Sequence, residues 1–498
     1  MSSCCFGQET CKICFVQVYF DKVYFTKWGS PMIFHNRTAE LSALSERWES
    51  PDAQMLLLYG RRRVGKTYLL QHFLGQDKPH CYFLAAQTSL SDNIGQLAET
   101  VISAVPGSNL AVADLPTFNS ILRFLDQSAA DHRLALVLDE FQYLLDLDPS
   151  IPSQIQAWWD TRGIRSKAFL VLCGSQMGVM EGLGGSRAPL FGRFTFRNKL
   201  LPMNYRDIAQ FYADSSYSVR NTLTAFGVLG GTPRYHALFS PTKSLGQNIR
   251  THILNPLGLL HDEPEILMSS SQIRDPSPYN STLRAIADGC TRPSRISERV
   301  GASSAQMSFY LRTLVDLEWV VREYPFDQDS DRRAVYKIGD PFIRFWYRFV
   351  SALRSELEFQ VAEDIYATRV EPHLNDYMGI YAFEDICSQY LRLAGSRLLN
   401  KHIRRAGRYW SRDGQLEIDV VAELDDGHYL FGECKWSSAP VGPSVYYRLR
   451  EKVARLPEAK YRDSPTYILF SASGFKDELV QTAGQDGVVL ISGDDLLA

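Results

Sequence analysis

Within "MIFHNRTAELSALSERW", apolar residues recur three and four positions apart. Leu41, Leu44 and Trp48 predict one face of a helix that follows Met32. Four short apolar runs come next, at 55–59, 82–85, 134–138 and 169–173, and none of them alternates with polar residues. Strands covered on both faces need that pattern, and helical stretches at 65–73, 94–105 and 118–128 separate them. The alternation predicts a parallel α/β sheet. Helical patterning continues through 205–262, and 264–280 has a linker's composition, with Pro264, Pro276 and Pro278 among serines. From 281 two helical periods flank a tight turn. Ile296 and Val300 face inward on the first, and Met307, Tyr310, Leu311, Leu314 and Leu317 stripe the second. With 318–324 and 334–338 as a hairpin, this is helix-turn-helix spacing with a wing. The aromatic stretch "DPFIRFWYRF" then leads to a last α/β segment over 366–498.

Composition narrows the picture. A chain of 498 residues exceeds one ordinary domain, and about three is the expectation. Hydrophobic residues at 45% and charged ones at 22% exclude a disordered or fibrous protein. Lys+Arg 53 against Asp+Glu 56 gives −3, which excludes a whole-chain basic excess but leaves room for a local basic face. No apolar run reaches the length of a membrane-spanning helix. Cys4, Cys5, Cys11 and Cys14 crowd the N-terminus, and the remaining cysteines stand singly in apolar stretches, as in a reducing, cytoplasmic setting. Cys11-x-x-Cys14 is half of a zinc pattern with no second pair at finger spacing. Residues 1–31 are expected to lie outside the fold, with Met32 as an alternative start.

Gly60-Arg61-Arg62-Arg63-Val64-Gly65-Lys66-Thr67 satisfies G-x-x-x-x-G-K-[ST] between a strand and a helix. The glycines let the loop curl so that backbone N–H groups face a phosphate, and the helix N-terminus adds its positive dipole end. Lys66 is expected to reach the β/γ-phosphates of ATP, and Thr67 to ligate Mg²⁺. The strand at 134–138 ends in Asp139-Glu140, a carboxylate pair that is costly at a sheet edge unless a cation sits there. Asp139 is expected to hold Mg²⁺, and Glu140 to orient the attacking water. Ser175, after the strand at 169–173, is expected beside the γ-phosphate, although serine after Gly174 also suits a plain turn.

"GRRRVGKT", "LVLDEFQYL", "LVLCGSQMGVM", "APLFGRFTFRNKLLPM" and "GGTPRY" together resemble the archaeal and bacterial AAA+/STAND-type ATPases. Members typically carry a winged helix and a C-terminal domain of unknown function with a restriction-endonuclease-like fold. The resemblance covers about 32–498, and its ordered set of motifs is far more specific than the first two alone. It implies that Arg193 reaches a neighbour's γ-phosphate in a homo-oligomer, with Arg187 and Arg197 as rivals and a surface salt bridge as the bland reading. It also implies a nucleotide-sensing role for Arg234, against the plainer reading that Gly230-Gly231-Thr232-Pro233 only shapes a turn. The helix-turn-helix unit looks like the family's winged helix. Its exposed face (Gln306, Ser308, Arg312, Thr313, with Asp316 alongside) offers a single arginine, so DNA contact and protein packing stay equal there.

Near the C-terminus, "LEIDVVAELDDGHYLFGECKW" reads as strand, Asp-Asp-Gly turn and strand. Centring the hairpin on Asp426 pairs Asp419 with Glu433 and Glu417 with Lys435, all on one face, with Ile418, Val420, Ala422, Leu430, Gly432 and Cys434 on the other. Opposed carboxylates repel unless a cation bridges them, and Mg²⁺ suits hard oxygen ligands. Asp419, Glu433 and Lys435 match Asp…Glu-x-Lys nucleases, with Lys435 near the scissile phosphate and Glu384 as a further metal ligand. The bland reading is a surface hairpin with a Glu417–Lys435 salt bridge. Upstream, "KHIRRAGRYWSR" interleaves Lys401, Arg404, Arg405, Arg408 and Arg412 with Tyr409 and Trp410, which suits a nucleic-acid backbone or an ordinary solvated face.

The expected architecture is α/β and multidomain. It comprises an extra segment 1–31, a P-loop NTPase core of AAA+ type over 32–204, a helical lid over 205–263 and a linker over 264–280. A winged helix over 281–340, a helical connector over 341–365 and a PD-(D/E)xK nuclease-like domain over 366–498 complete it. The expected function is that of a cytoplasmic, Mg²⁺-dependent ATPase whose nucleotide state controls a C-terminal domain directed at DNA. A regulatory switch with a non-cleaving C-terminal domain and a chaperone-like ATPase acting on proteins are the rivals.

Overall fold

The computed structural model describes residues 34–498 apart from 76, 106, 272 and 329–332. The expectations for 1–31, Cys11 and Cys14 among them, lie outside the described residues. Helix α1 (Thr38–Glu49) precedes strand β1 (Gln54–Tyr59), and α2 (Lys66–Leu74) follows it. β2 (His80–Leu84), β3 (Leu134–Asp139), β4 (Ala168–Gly174) and β5 (Phe196–Lys199) complete a parallel sheet in the order β2-β3-β4-β1-β5. Every residue of β1, β3 and β4 is buried, because alternate positions enter different cores. Leu56 and Leu58 pack with Leu44, Leu69 and Leu70 on one face, while Met55 and Leu57 join Leu97, Ile121 and Leu125 on the other. Coverage on both sides is what erased polar alternation from these runs. Sequence patterning did not foresee β5. Its residues, Phe-Arg-Asn-Lys, form a half-exposed edge that only pairing with β1 holds extended.

From Met203 onward one hydrophobic core runs to Leu496. It takes in α3 (Glu263–Ser269), which lies in the stretch expected to be a linker. Pro264 sits in that helix's first turn, where no backbone N–H is needed, so proline starts a helix here instead of marking a gap. Helix Ser277–Ala287, α4 (Pro293–Val300) and α5 (Ser304–Asp316) pack together, and β6 (Val320–Glu323) pairs antiparallel with β7 (Val335–Ile338). Ile296, Met307, Leu311 and Leu314 are buried among them. Helix α6 (Pro341–Phe345) begins a helical run to 357, and further helices lead to α7 (Phe383–Tyr390).

The last sheet has the order β12-β11-β10-β9-β8. β8 (Ile403–Trp410), β9 (Glu417–Leu424) and β10 (Tyr429–Lys435) are antiparallel, whereas β11 (Thr466–Ser471) and β12 (Val489–Ser492) continue parallel to β10. Helix α8 (Ser444–Ala454) covers one face and α7 the other. The β9–β10 register, from Tyr429↔Glu423 to Gly432↔Val420, is the one centred on Asp426. Against β8, however, β9 carries an extra residue between Val421 and Ile418. This bulge overturns the expected alternation: Ile418 packs with Val421 and Phe431, not with Val420 and Ala422. The final helix, Gly493–Leu497, returns to the lid, where Leu496 O accepts Tyr205 Oη at 2.9 Å and Arg206 Nε at 3.0 Å. Among the described residues no helix is long and apolar enough to cross a membrane.

Candidate nucleotide site and C-terminal carboxylate site

The loop between β1 and α2 is shaped by backbone geometry. Gly65 adopts φ 96°, and a Cβ at Gly60 would lie 2.4 Å from Leu200 O. Lys66 Nζ donates to Gly60 O at 2.8 Å and Arg61 O at 3.0 Å. Thr67 Oγ1 donates to Asp139 Oδ2 at 2.7 Å, and Tyr82 Oη donates to the same oxygen at 2.6 Å. Burial, followed by the charge of Asp139, raises the Tyr82 phenol, so it stays a donor. Glu140, in the left-handed region at φ 51°, accepts Ser175 Oγ at 2.8 Å. Gln142 Nε2 bonds both Glu140 and Ser175. The order β3-β4-β1 therefore brings Lys66, Thr67, Asp139, Glu140 and Ser175 to one edge of the sheet. Thr67 and Asp139 present hard oxygen donors of the kind Mg²⁺ takes.

Three arginines expected at the nucleotide point their side chains elsewhere. Arg61 pairs with Asp340 at 2.8 Å, Arg62 donates to Tyr143 Oη at 2.9 Å, and Arg63 pairs with Glu263. The loop keeps its backbone amides for a phosphate. Arg193 forms a bidentate pair with Asp160 at 2.8 and 2.7 Å, and Arg197 bonds Gly184 O at 3.1 Å. Arg187 and Arg234 are exposed. The Gly230-Gly231 turn has a steric reason of its own: a Cβ on Gly231 would lie 2.0 Å from Met203 O.

Beside the phosphate loop lies a small hollow of about 30 Å³, lined by Phe34, His35, Tyr68, Phe211 and Pro233 next to Val64 and Gly65. Arg37 closes its floor. Asn36 and Arg37 take successive positive φ values of 52° and 61°, a costly turn for residues with side chains. Arg37 Nη2 bonds Val64 O at 3.1 Å and Leu201 O at 2.8 Å, while Nη1 meets Glu40 at 3.0 Å. That buried guanidinium fixes the start of the fold to the phosphate loop.

In the C-terminal sheet Asp419 and Glu433 share one neighbourhood with Lys435. Asp419 Oδ2 accepts Cys434 N at 2.8 Å, replacing a ladder bond beside the bulge. Lys435 Nζ lies 2.7 Å from Glu433 Oε1, and Lys452 of α8 reaches both Glu433 oxygens at 3.1 and 2.9 Å. Burial pushes the Asp419 carboxyl up, and the charge of Glu433 adds to it. Burial acts on Glu433 in the same direction, yet Lys435 and Lys452 together hold it below its ordinary value. Glu384 meets Arg408 Nε at 3.0 Å, and burial raises its carboxyl to about 8 against the pull of that guanidinium. Arg408 also contacts Glu417 and Glu323. Among the described residues no three His, Cys, Asp or Glu side chains are arranged as a ligand set. Lys401 pairs with Asp426 and Arg405 with Glu423, so much of the basic segment faces carboxylates of its own domain.

Comparison with known proteins bears on both halves. A family described as an ATPase domain predominantly from Archaea matches residues 34–238. An uncharacterized ATP-binding protein of Methanocaldococcus jannaschii is 47% identical over 47 residues, 9% of this chain and 80% of that protein. The chain belongs to this archaeal ATPase family. Residues 346–455 of the ATPase match a second family, described as archaeal and bacterial proteins of unknown function. An uncharacterized M. jannaschii protein is similar over both halves, 27% identical over 411 residues, 81% of this chain and 88% of its own. Among solved structures, the Walker-type ATPase of Pyrococcus abyssi shares the fold, with a TM-score of 0.50, 21% identity and coverage of 63% of this chain and 96% of that one.

Sequence reasoning missed three residues of the ATPase. Tyr82 reaches Asp139 only because β2 pairs with β3, Arg37 acts from a turn before the first helix, and Lys452 looks in sequence like one more surface charge on α8.

Proposed function

We propose that this ATPase hydrolyses ATP with Mg²⁺ and that its nucleotide state governs a C-terminal domain directed at nucleic acid. The observation that carries the reading is the meeting of Lys66, Thr67, Asp139, Glu140 and Ser175 at one sheet edge. In this reading the loop amides and Lys66 hold the phosphates, and the base lies toward the aromatic side chains of Phe34, Tyr68 and Phe211. Glu140, oriented by Ser175 and Gln142, takes a hydrogen bond from the attacking water and sets its line of approach. Thr67 and Asp139 would hold Mg²⁺, which neutralises charge on the phosphates when bound. Arg193 acts in trans in a homo-oligomer after releasing Asp160, and Arg234 reads the nucleotide from the lid. Residues 281–340 serve as a winged helix, and 366–498 as a restriction-endonuclease-like domain with Asp419, Glu433 and Lys435 at its centre.

Phosphate release with ATP and Mg²⁺ tests the first half. Lys66→Ala should abolish it, and equal turnover in that variant refutes the loop assignment. Nicking of plasmid DNA with Mg²⁺ or Mn²⁺, lost in Lys435→Ala, tests the second. A C-terminal domain that binds without cutting is the alternative. Its support is that Glu433 sits between Lys435 and Lys452 while Glu384 faces Arg408, so the protein's own cations already meet these carboxylates.

A further inference from the structure

The phosphate loop carries two ion pairs that leave the ATPase core. Arg61 meets Asp340, whose other oxygen, Oδ1, caps α6 by accepting Ile343 N at 2.9 Å. Asp340 is only 5% exposed. One turn on, Arg344 Nη2 bonds Asp385 Oδ2 at 2.9 Å, and Lys337 of β7 takes Asp385 Oδ1 at 3.0 Å. Asp385 is the neighbour of Glu384 on α7, and Glu384 joins Arg408 in the carboxylate site. The second tether runs from Arg63 to Glu263 of α3, which is fully buried and also accepts Tyr235 Oη at 2.9 Å. The Tyr235 ring packs at a tilt against Phe342 of α6, with centroids 4.7 Å apart, so the two tethers converge on one helix.

We propose that Arg61 and Arg63 make the phosphate loop a coupling element, transmitting nucleotide occupancy through Asp340 and α6 to α7 and the Glu384–Arg408 pair. The inference rests on the reading of both sites given under Proposed function and adds how one controls the other. Lys66 Nζ binds Gly60 O and Arg61 O at 2.8 and 3.0 Å, so a phosphate that takes Lys66 releases the backbone at the root of Arg61. Asp340 and Glu263 are buried, so separating either pair takes from a buried carboxylate its ion-pair partner, which is costly. The loop and the helices therefore shift together, and each pair is an element whose position both sites bias. Reciprocity follows: a ligand held at the C-terminal site alters nucleotide affinity by the same factor.

Hydrogen exchange of the full chain, with and without ATP and Mg²⁺, tests this. In the unaltered protein nucleotide should protect 60–67 and change exchange in Phe383–Tyr390. In Asp340→Asn the loop protection should persist while the response of α7 falls about 5- to 10-fold. Glu263→Gln should lower it as well. An undiminished α7 response in Asp340→Asn overturns the proposal, as does an undiminished response in Glu263→Gln. No loop protection in the unaltered protein overturns the nucleotide reading itself, and protection of the loop without any α7 response overturns only the coupling.

Discussion

Asp139 Oδ2 accepts two hydroxyls, from Thr67 and from Tyr82. A hydrogen bond to a charged acceptor contributes more than a neutral one, and here it fixes the rotamer of the carboxylate proposed to hold Mg²⁺. Tyr82→Phe should therefore lower kcat for ATP by about 10-fold, with a smaller change in KM, since about 1.4 kcal/mol of transition-state positioning is lost. Steady-state phosphate release measures this, and a kcat within twofold of the parent reduces Tyr82 to packing. Arg37→Ala should weaken nucleotide binding by about 10-fold, because the segment beside the phosphate loop loses the group tying it to Val64 and Leu201. Titration with a fluorescent ATP analogue checks it. The residues of the phosphate loop and the Asp139-Glu140 pair could be read from sequence because each motif is contiguous and its chemistry follows from residue types. Tyr82 and Arg37 could not, because their partners are set by strand pairing and by a left-handed turn.

At the scale of elements, the buried strands announced themselves as apolar runs, and the β9–β10 register followed from the Asp425-Asp426-Gly427 turn. The bulge in β9 did not, since the extra residue is defined only against β8. Gly231 illustrates a motif with a steric origin. Gly231→Ala should destabilise the lid by about 2–3 kcal/mol, because its Cβ meets the Met203 backbone and the segment must move. Urea unfolding of the variant measures the loss. His236 makes the lid sensitive to acid. Its ring lies between Tyr212 Oη at 2.6 Å and Gly230 O at 2.7 Å, and burial lowers its pKa from 6.5 to about 4. The folded form thus binds fewer protons than the unfolded one between those values. Stability present above pH 6.5 falls as the pH drops toward about 4, by up to about 3 kcal/mol. Thermal melts across that range should show the decline, and His236→Gln should flatten it.

The whole molecule divides differently from its patterning. The segments after 203 share one core from Met203 to Leu496, to which the C-terminal sheet adds a second on its α8 face, while the sheet β1–β5 has cores of its own on either face. Calorimetry should accordingly resolve no more than two main transitions, with the segments after 203 unfolding together, and separate melting of the C-terminal sheet contradicts this. Boundaries drawn from composition followed proline and serine, which mark where helices start as readily as where domains part. Charge follows the same lesson: the near-zero sum of −3 conceals ion pairs that join distant segments, among them Arg61–Asp340 and Arg408–Glu384.

The bonds from Tyr205 and Arg206 to Leu496 span 291 and 290 residues. During synthesis the β1–β5 sheet can form as soon as it leaves the ribosome, yet the lid that follows it has no complete surface until nearly 300 further residues have emerged. At about 5–20 residues per second that interval is tens of seconds, in which apolar surface of the nascent chain needs cover from a chaperone. The contact that joins the middle of the chain to Leu496 in the finished state is also among the last to form.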